Sequence, residues 1–149
     1  MFALEGTYIG RQEIPDINAG GGRRTNDARL DGRKNGEENG FVLQWREEAE
    51  NEAIQVRLET WHWDAEWEQV VITRIVDNKP IAENWFVLES DGAHAVLSRG
   101  GEHENGPALL KLTFERLPGQ LRMDLRANNG SGKWTEVYRM LLDDAPTED

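Results

Sequence analysis

His62 lies between Trp61 and Trp63 in the stretch ETWHWDAEWEQVVI, residues 59–72, with Asp64 and Glu66 just behind it and Glu83 on a later segment. An imidazole beside a carboxylate can shuttle a proton; alone it can hold a metal or hydrogen-bond a ligand. An isomerase- or hydrolase-type reaction using His62 and one carboxylate is therefore a reading to carry forward, beside the plainer one of a buried or rim histidine with a satisfied partner. Metal chemistry has little support. His94 and His103 stand in turn-rich segments, and no His-x-His or His-Glu-x-x-His spacing ties them to His62. No cofactor is expected.

Other chemistry-bearing patterns are thinner. Gly20-Gly21-Gly22-Arg23-Arg24 lacks the Gly-Lys-Ser/Thr ending of a phosphate loop, and no helical pattern follows to receive an anion. Ser90, Ser98 and Ser131 lack the Gly-x-Ser-x-Gly setting of a nucleophile elbow. Cysteine is absent, which removes disulfides, thiolate metal sites and thiol nucleophiles. A net charge of −11 repels phosphate backbones and anionic lipid, so neither nucleic acid nor a membrane is an expected partner. With no apolar run of the roughly 18 residues a spanning helix needs, the expectation is a soluble, cytoplasmic protein. The cations are thirteen arginines and four lysines, a bias that suits fixed carboxylate pairs in partly desolvated places.

The elements that must position these residues read as strands. Leu110, Leu112 and Phe114 alternate with polar residues, as do Leu121, Met123 and Leu125 after Pro118-Gly119, giving a half-buried antiparallel hairpin. Phe41, Leu43 and Trp45 repeat the pattern, and so do Ile54, Val56 and Leu58. Turn residues punctuate the chain at Asp77-Asn78-Lys79-Pro80, Ser90-Asp91-Gly92, Asn105-Gly106-Pro107 and Asn128-Asn129-Gly130. Up to ten strands result, near 3–12, 26–33, 40–47, 53–63, 67–76, 81–89, 93–99, 108–117, 120–128 and 133–142. Residues 44–61 also carry a helical face of Trp45, Ala49, Ala53 and Val56; two strands about a charged turn at 48–51 fit the clean alternation on either side better. The fold class is all-β, with residues 1–142 as one barrel domain and 143–149 as a solvated, disordered acidic tail.

Leu4-Glu5-Gly6-Thr7-Tyr8-Ile9-Gly10 resembles the Leu-x-Gly-x-aromatic-x-Gly opening of lipocalin-like (calycin) barrels, Trp63-Asp64 with Trp67 resembles a mid-chain hairpin of small bacterial members, and Trp134-Thr135-Glu136-Val137-Tyr138-Arg139 resembles their closing strand. Tyr8 stands where Trp is usual, and the pinning cysteines are missing. The resemblance implies an antiparallel up-and-down barrel of eight to ten strands, with a cavity for a small apolar or amphipathic ligand. It also implies that Tyr8 and Arg139 close one end, and it offers no axial histidine for haem.

Parity then orients the walls. If residues 53–63 keep one register, Ile54, Val56, Leu58, Thr60 and His62 share a face, taken as inward, while Trp61 and Trp63 share the outward face with Arg57 and Glu59. The following strands are apolar on both faces, with Val70 and Ile72 alternating with Val71 and Ile75. Either the Gly-rich 19–40 segment covers the outside, or a second subunit does. The expectation is a homodimer through Trp61, Trp63, Val70 and Ile72. Tyr8, Trp45, His62, Trp134 and Tyr138 are the expected ligand-binding residues in a lumen otherwise lined by apolar side chains. A small-molecule binding protein is the leading reading; an enzyme using His62, or a dimerisation module with a filled barrel, are the others.

Overall fold

A computed structural model describes residues 4–16, 22–34, 40–49, 53–64, 66–103, 106–128 and 133–145 of the 149. Ten antiparallel strands close into a barrel: β1 (Gly6–Asp16), β2 (Gly22–Lys34), β3 (Gly40–Glu48), β4 (Gln55–Asp64), β5 (Gln69–Val76), β6 (Lys79–Ser90), β7 (His94–His103), β8 (Gly106–Leu117), β9 (Gln120–Asn128) and β10 (Thr135–Asp144). Each strand pairs with its sequence neighbours, and β1 also pairs with β10 from Tyr8↔Asp144 to Glu13↔Arg139, so no edge is left open. Residues 44–48 and 55–61 are strand, not helix, because Glu47 pairs with Gln55 and the ladder runs on to Gly40↔His62; 50–52 lie outside the described residues.

Turn chemistry closes the hairpins. Asp77 and Asn78 both take positive φ, 51° and 63°, between the paired Val76 and Lys79, which is the two-residue type I′ connection whose twist matches the strands. Gly119, at φ 70° after Pro118, gives the type II pattern between Leu117 and Gln120. In the opening motif, Gly10 is required by close approach, since a Cβ there would run into the Leu141 backbone carbonyl on β10. Gly32 makes the same room for the carbonyl of Leu4, and Leu4 is wholly buried.

The lumen has two unlike halves. At the end where β1 begins and β10 ends, Leu30, Phe41, Leu43, Val70, Leu97, Phe114, Leu121 and Leu142 are all buried without exposure. Trp61 and Phe114 meet there edge to face, with ring centroids 5.6 Å apart. Burial of this kind is the main favourable term, at about 25 cal/mol per Å² of apolar surface. Toward the other end, where β1 turns into β2 and β3 into β4, the inward positions become Gln12, Asn26, Glu47, Arg57, Glu59, Arg74, Glu83 and Arg99.

Several orientations differ from the sequence expectation. On β4 the inward residues are Glu59, Trp61 and Trp63, whereas Ile54, Val56, Leu58, Thr60 and His62 face out and are exposed. The physical reason is that an indole buries more surface than a branched aliphatic side chain, and Glu59 finds charged partners inside. Trp61, Trp63, Val70 and Ile72, expected on an outer dimer face, are at 3%, 7%, 0% and 2% exposure within the lumen. Within the 19–40 segment, Gly22–Lys34 is itself a strand of the wall and no cover over it; 17–21 and 35–39 lie outside the described residues. Asp143 and Asp144 of the expected tail belong to β10, and the Ala145 N–H donates to the Thr7 carbonyl at 2.9 Å; 146–149 lie outside the described residues.

Candidate functional site

Alternation along β3 to β7 sends one polar residue from each strand, and two from β4, into the same half of the lumen. Glu47 (β3) pairs with Arg57 (β4) at 3.5 Å, and the Arg57 guanidinium lies over the Trp45 ring at 5.6 Å. Two positions further along β4, Glu59 Oε1 accepts the Trp45 indole N–H at 2.7 Å and that of Trp61 at 3.4 Å. Its other oxygen pairs with Arg74 (β5) at 3.3 Å, Arg74 pairs with Glu83 (β6) at 3.3 Å, and Glu83 pairs with Arg99 (β7) at 3.2 Å. Trp85 also donates to Glu83 at 3.4 Å. The chain of charges is balanced, Glu47, Glu59 and Glu83 against Arg57, Arg74 and Arg99. Balance is what makes burial of Glu59, at 4% exposure, tolerable.

The facing wall is different in kind. Tyr138 (β10) lies opposite in this half; burial pushes its phenol up to about 12, with Arg57 pulling down and Glu59 and Glu47 pushing up. It is a neutral hydrogen-bonding group near neutral pH and no base. Beside it Asn26 (β2) donates its amide to Gln12 Oε1 (β1) at 3.2 Å, both side chains being buried. A cavity of about 160 Å³ opens here, lined by Gln12, Ile14, Arg24, Asn26, Glu47 and Ala49 among others. Asn26 Oδ1 and Glu47 Oε1 are buried and accept no hydrogen bond.

The opposite end is shut. Arg116 (β8) donates to the Tyr8 hydroxyl at 3.0 Å and stands over its ring at 5.9 Å, while that hydroxyl donates to the Glu5 carbonyl at 3.0 Å. Burial raises the Tyr8 phenol, with Arg116 opposing. Arg139, the residue paired with Tyr8 by resemblance, is on the outer wall and bonds Glu136 at 3.1 Å. Tyr138 takes the inward position of that strand, so its neighbour in sequence must face out.

Of the sequence-predicted ligand residues, Tyr8, Trp45 and Tyr138 point into the lumen, Tyr8 at the closed end and the other two at the polar end. Trp134 precedes β10 on the outside, with the Lys111 ammonium 4.7 Å from its ring centroid. His62 faces away from the lumen, across the wall from Glu83. His94 opens β7, its backbone N–H and that of Ala93 donating to Asp91 Oδ1 and its ring Nδ1 3.2 Å from Glu89; the His103 side chain lies outside the described set. Among the described residues no cluster of three histidine or acidic side chains could hold a metal ion. Gln12, Asn26, Arg57, Glu59, Arg74 and Arg99 were not singled out from sequence. For Arg57 and Glu59 the available signal is parity with Trp61, four and two residues on along β4; Gln12, Asn26, Arg74 and Arg99 have no tryptophan within two residues to orient them.

The outer wall is divided as well. On β8 to β10 it carries Lys111, Glu115, Arg122, Asp124, Arg126 and Arg139 around a shallow depression of about 550 Å³, where Arg126 pairs with Asp124 at 3.1 Å. On β4 to β6 the outward side chains from Val56 to His62, Val71 to Ile75 and Pro80 to Phe86 include no acid, lysine or arginine. Comparison with known protein families and with curated proteins finds no match for the chain. Among the described residues no helix is long and apolar enough to cross a membrane.

Proposed function

We propose that this protein is a non-enzymatic, lipocalin-like binding protein whose small ligand enters the polar end of the lumen. One observation carries the reading: the polar end of the lumen holds a cavity of about 160 Å³, lined by Gln12, Arg24, Asn26 and Glu47 and backed by fixed ion pairs. Arg24 has only donors, and Gln12 and Asn26 carry both donors and acceptors, so the lining can meet an entering polar group with hydrogen bonds of either kind. Ile14 and Ala49 supply the apolar part of the lining, which leaves an amphipathic molecule welcome and a purely apolar one poorly matched. The cavity lies well below the roughly 300–1,000 Å³ of a drug-sized site, which favours a ligand of a few heavy atoms. Charges around the outer wall of β8 to β10 favour a barrel in water over one in lipid, where the whole outward band is apolar. Native mass spectrometry of freshly expressed protein tests the reading: a retained small molecule, lost on denaturation, is expected, and bare protein at every gentle condition counts against it.

A second reading rests on a separate observation, the uncharged outer patch formed by Val56 to His62, Val71 to Ile75 and Pro80 to Phe86 on β4 to β6. We propose that a second copy of the chain covers it, since two chains of net charge −11 can meet there with no carboxylates opposed.

A further inference from the structure

The signs of the groups that reach the open end narrow the ligand to a class, an inference that rests on the binding reading above. We infer that the polar mouth takes a small organic anion, a carboxylate carried on a short carbon stub.

The ion pairs of this half are lopsided in what they show to the lumen. Arg57, Arg74 and Arg99 have side chains between 31% and 43% exposed, whereas the carboxylates they hold, on Glu47, Glu59 and Glu83, are between 4% and 17% exposed. All six point inward from a closed wall, so their exposure is through the open end. An entering group therefore meets guanidinium first and finds the carboxylates tucked behind it.

Charge balance points the same way once Arg24 is counted. Glu47, Glu59 and Glu83 match Arg57, Arg74 and Arg99, and Arg24 stands outside those pairs. It shares the inward parity of Asn26 on the cavity lining, is exposed, and makes no ion pair among the described residues. At the lip, the turn between β5 and β6 carries Asp77 and Lys79, one of each sign. The described half thus has one guanidinium in excess. A monoanion restores neutrality, and a cation would add to the imbalance. Glu47 also lines the cavity, but its charge is turned to Arg57 at 3.5 Å.

Geometry and room choose among anions. A guanidinium presents parallel N–H donors that match the two oxygens of a carboxylate. Ile14, Ala49 and Ala53 on the same lining offer apolar surface to a carbon stub, which an inorganic oxyanion lacks. About 160 Å³ corresponds to roughly five waters at about 30 Å³ each, so the stub is short. Beyond the polar half Leu30, Phe41 and Leu43 are buried without exposure, so no long chain can follow.

Propionate, propionamide and propionamidinium share one shape and differ in charge. Titrated at low salt into ¹⁵N-labelled protein, propionate should shift the Gln12 and Asn26 side-chain amide resonances at millimolar concentration. Propionamide should bind about tenfold more weakly, and propionamidinium should leave both signals unmoved. Inorganic phosphate, with no stub to bury, should also bind more weakly than propionate. Arg24→Gln, checked for folding by circular dichroism, should bring propionate down to the affinity of propionamide, while Arg139→Gln on the outer wall should change nothing. Any of the other three probes binding as tightly as propionate, or Arg24→Gln keeping the wild-type affinity for it, overturns the inference and leaves the binding reading standing. No shift from any probe overturns it too; the binding reading then falls only if native mass spectrometry also finds nothing retained.

Discussion

Trp45 on β3 donates its indole N–H to Glu59 Oε1 on β4 at 2.7 Å, fixing the boundary between the apolar and the charged halves of the lumen. Glu59 is the hub of this boundary: it holds two indoles on one oxygen and Arg74 on the other. Removing it strands Arg74 in the lumen, though Arg74 keeps Glu83 and is partly exposed, which softens the penalty. Glu59→Ala should lower unfolding free energy by about 2–4 kcal/mol, and Glu59→Gln by less than half as much, because the amide oxygen still accepts from Trp45. Urea denaturation followed by tryptophan fluorescence reads both; equal losses would remove Glu59 as a hub.

The closed end supplies a contrast between two arginines. Arg116 is tied to the Tyr8 hydroxyl and ring, whereas Arg139 is exposed and bonds Glu136 on its own strand. Arg116→Met should therefore cost about 1–2 kcal/mol, through the unmade hydrogen bond and the lost cation–π contact. Arg139→Met should stay within about 0.5 kcal/mol of the wild type, as surface ion pairs do. Thermal unfolding of the two variants side by side checks the ranking, and a larger loss for Arg139→Met would return the closing role to it.

Much of the barrel was legible because its signals are local. Pro118-Gly119 and Asp77-Asn78 name their turns by the dihedrals those residues accept, and the alternation of Leu110, Leu112 and Phe114 needs only a two-residue period. Which face of β4 looks inward was not local. Ile54, Val56 and Leu58 gave the apolar parity, and "apolar means inside" holds only where the other side of the wall meets water and the inside is uniformly greasy. Here the lumen turns charged halfway along, so Arg57 and Glu59 are inner residues and the aliphatic row is outer. Taking parity from Trp61 and Trp63 would have oriented the strand correctly, since large indoles have more to gain from burial than valine or isoleucine. Nothing in the spacing of Gln12, Asn26 and Glu47 could announce the cavity, because they come together only when β1, β2 and β3 pair in register.

Stability should fall steeply at high pH, for a reason that can be isolated. The Tyr138 phenol titrates near 10 in the unfolded chain and is pushed up to about 12 in the fold, chiefly by burial. Between those values the unfolded state has lost the proton that the native state keeps, so the unfolded state binds fewer protons and stability declines as pH rises. Below pH 10 the contribution is fully present. Across the window it amounts to about 2–3 kcal/mol. Tyr8, also raised by burial, acts in the same direction. Urea midpoints measured between pH 9 and pH 12 should drop less in Tyr138→Phe than in the wild type; parallel curves would place the Tyr138 hydroxyl in solvent.

Dimerisation through the outer face of β4 to β6 can be separated from folding because the inner and outer residues of the same strands have different tasks. Phe86 is 53% exposed and Leu58 49% exposed, both on the uncharged face, while Trp61 and Trp85 point into the lumen at 3% and 4%. Placing a carboxylate at Phe86 adds charge to each copy of a facing pair, and like charges brought together in an interface cost several kcal/mol. Phe86→Glu should therefore convert a dimer to a monomer in light scattering at high micromolar concentration, while its urea midpoint, read on the monomer, stays close to that of the wild type. Trp61→Ala should instead lose about 3–5 kcal/mol of stability, whatever the oligomeric state, because it empties core volume against Phe114. A wild-type protein that scatters as a monomer at that concentration would leave the aliphatic face bare, and the second-copy proposal would fall while the lumen and its cavity stood unchanged.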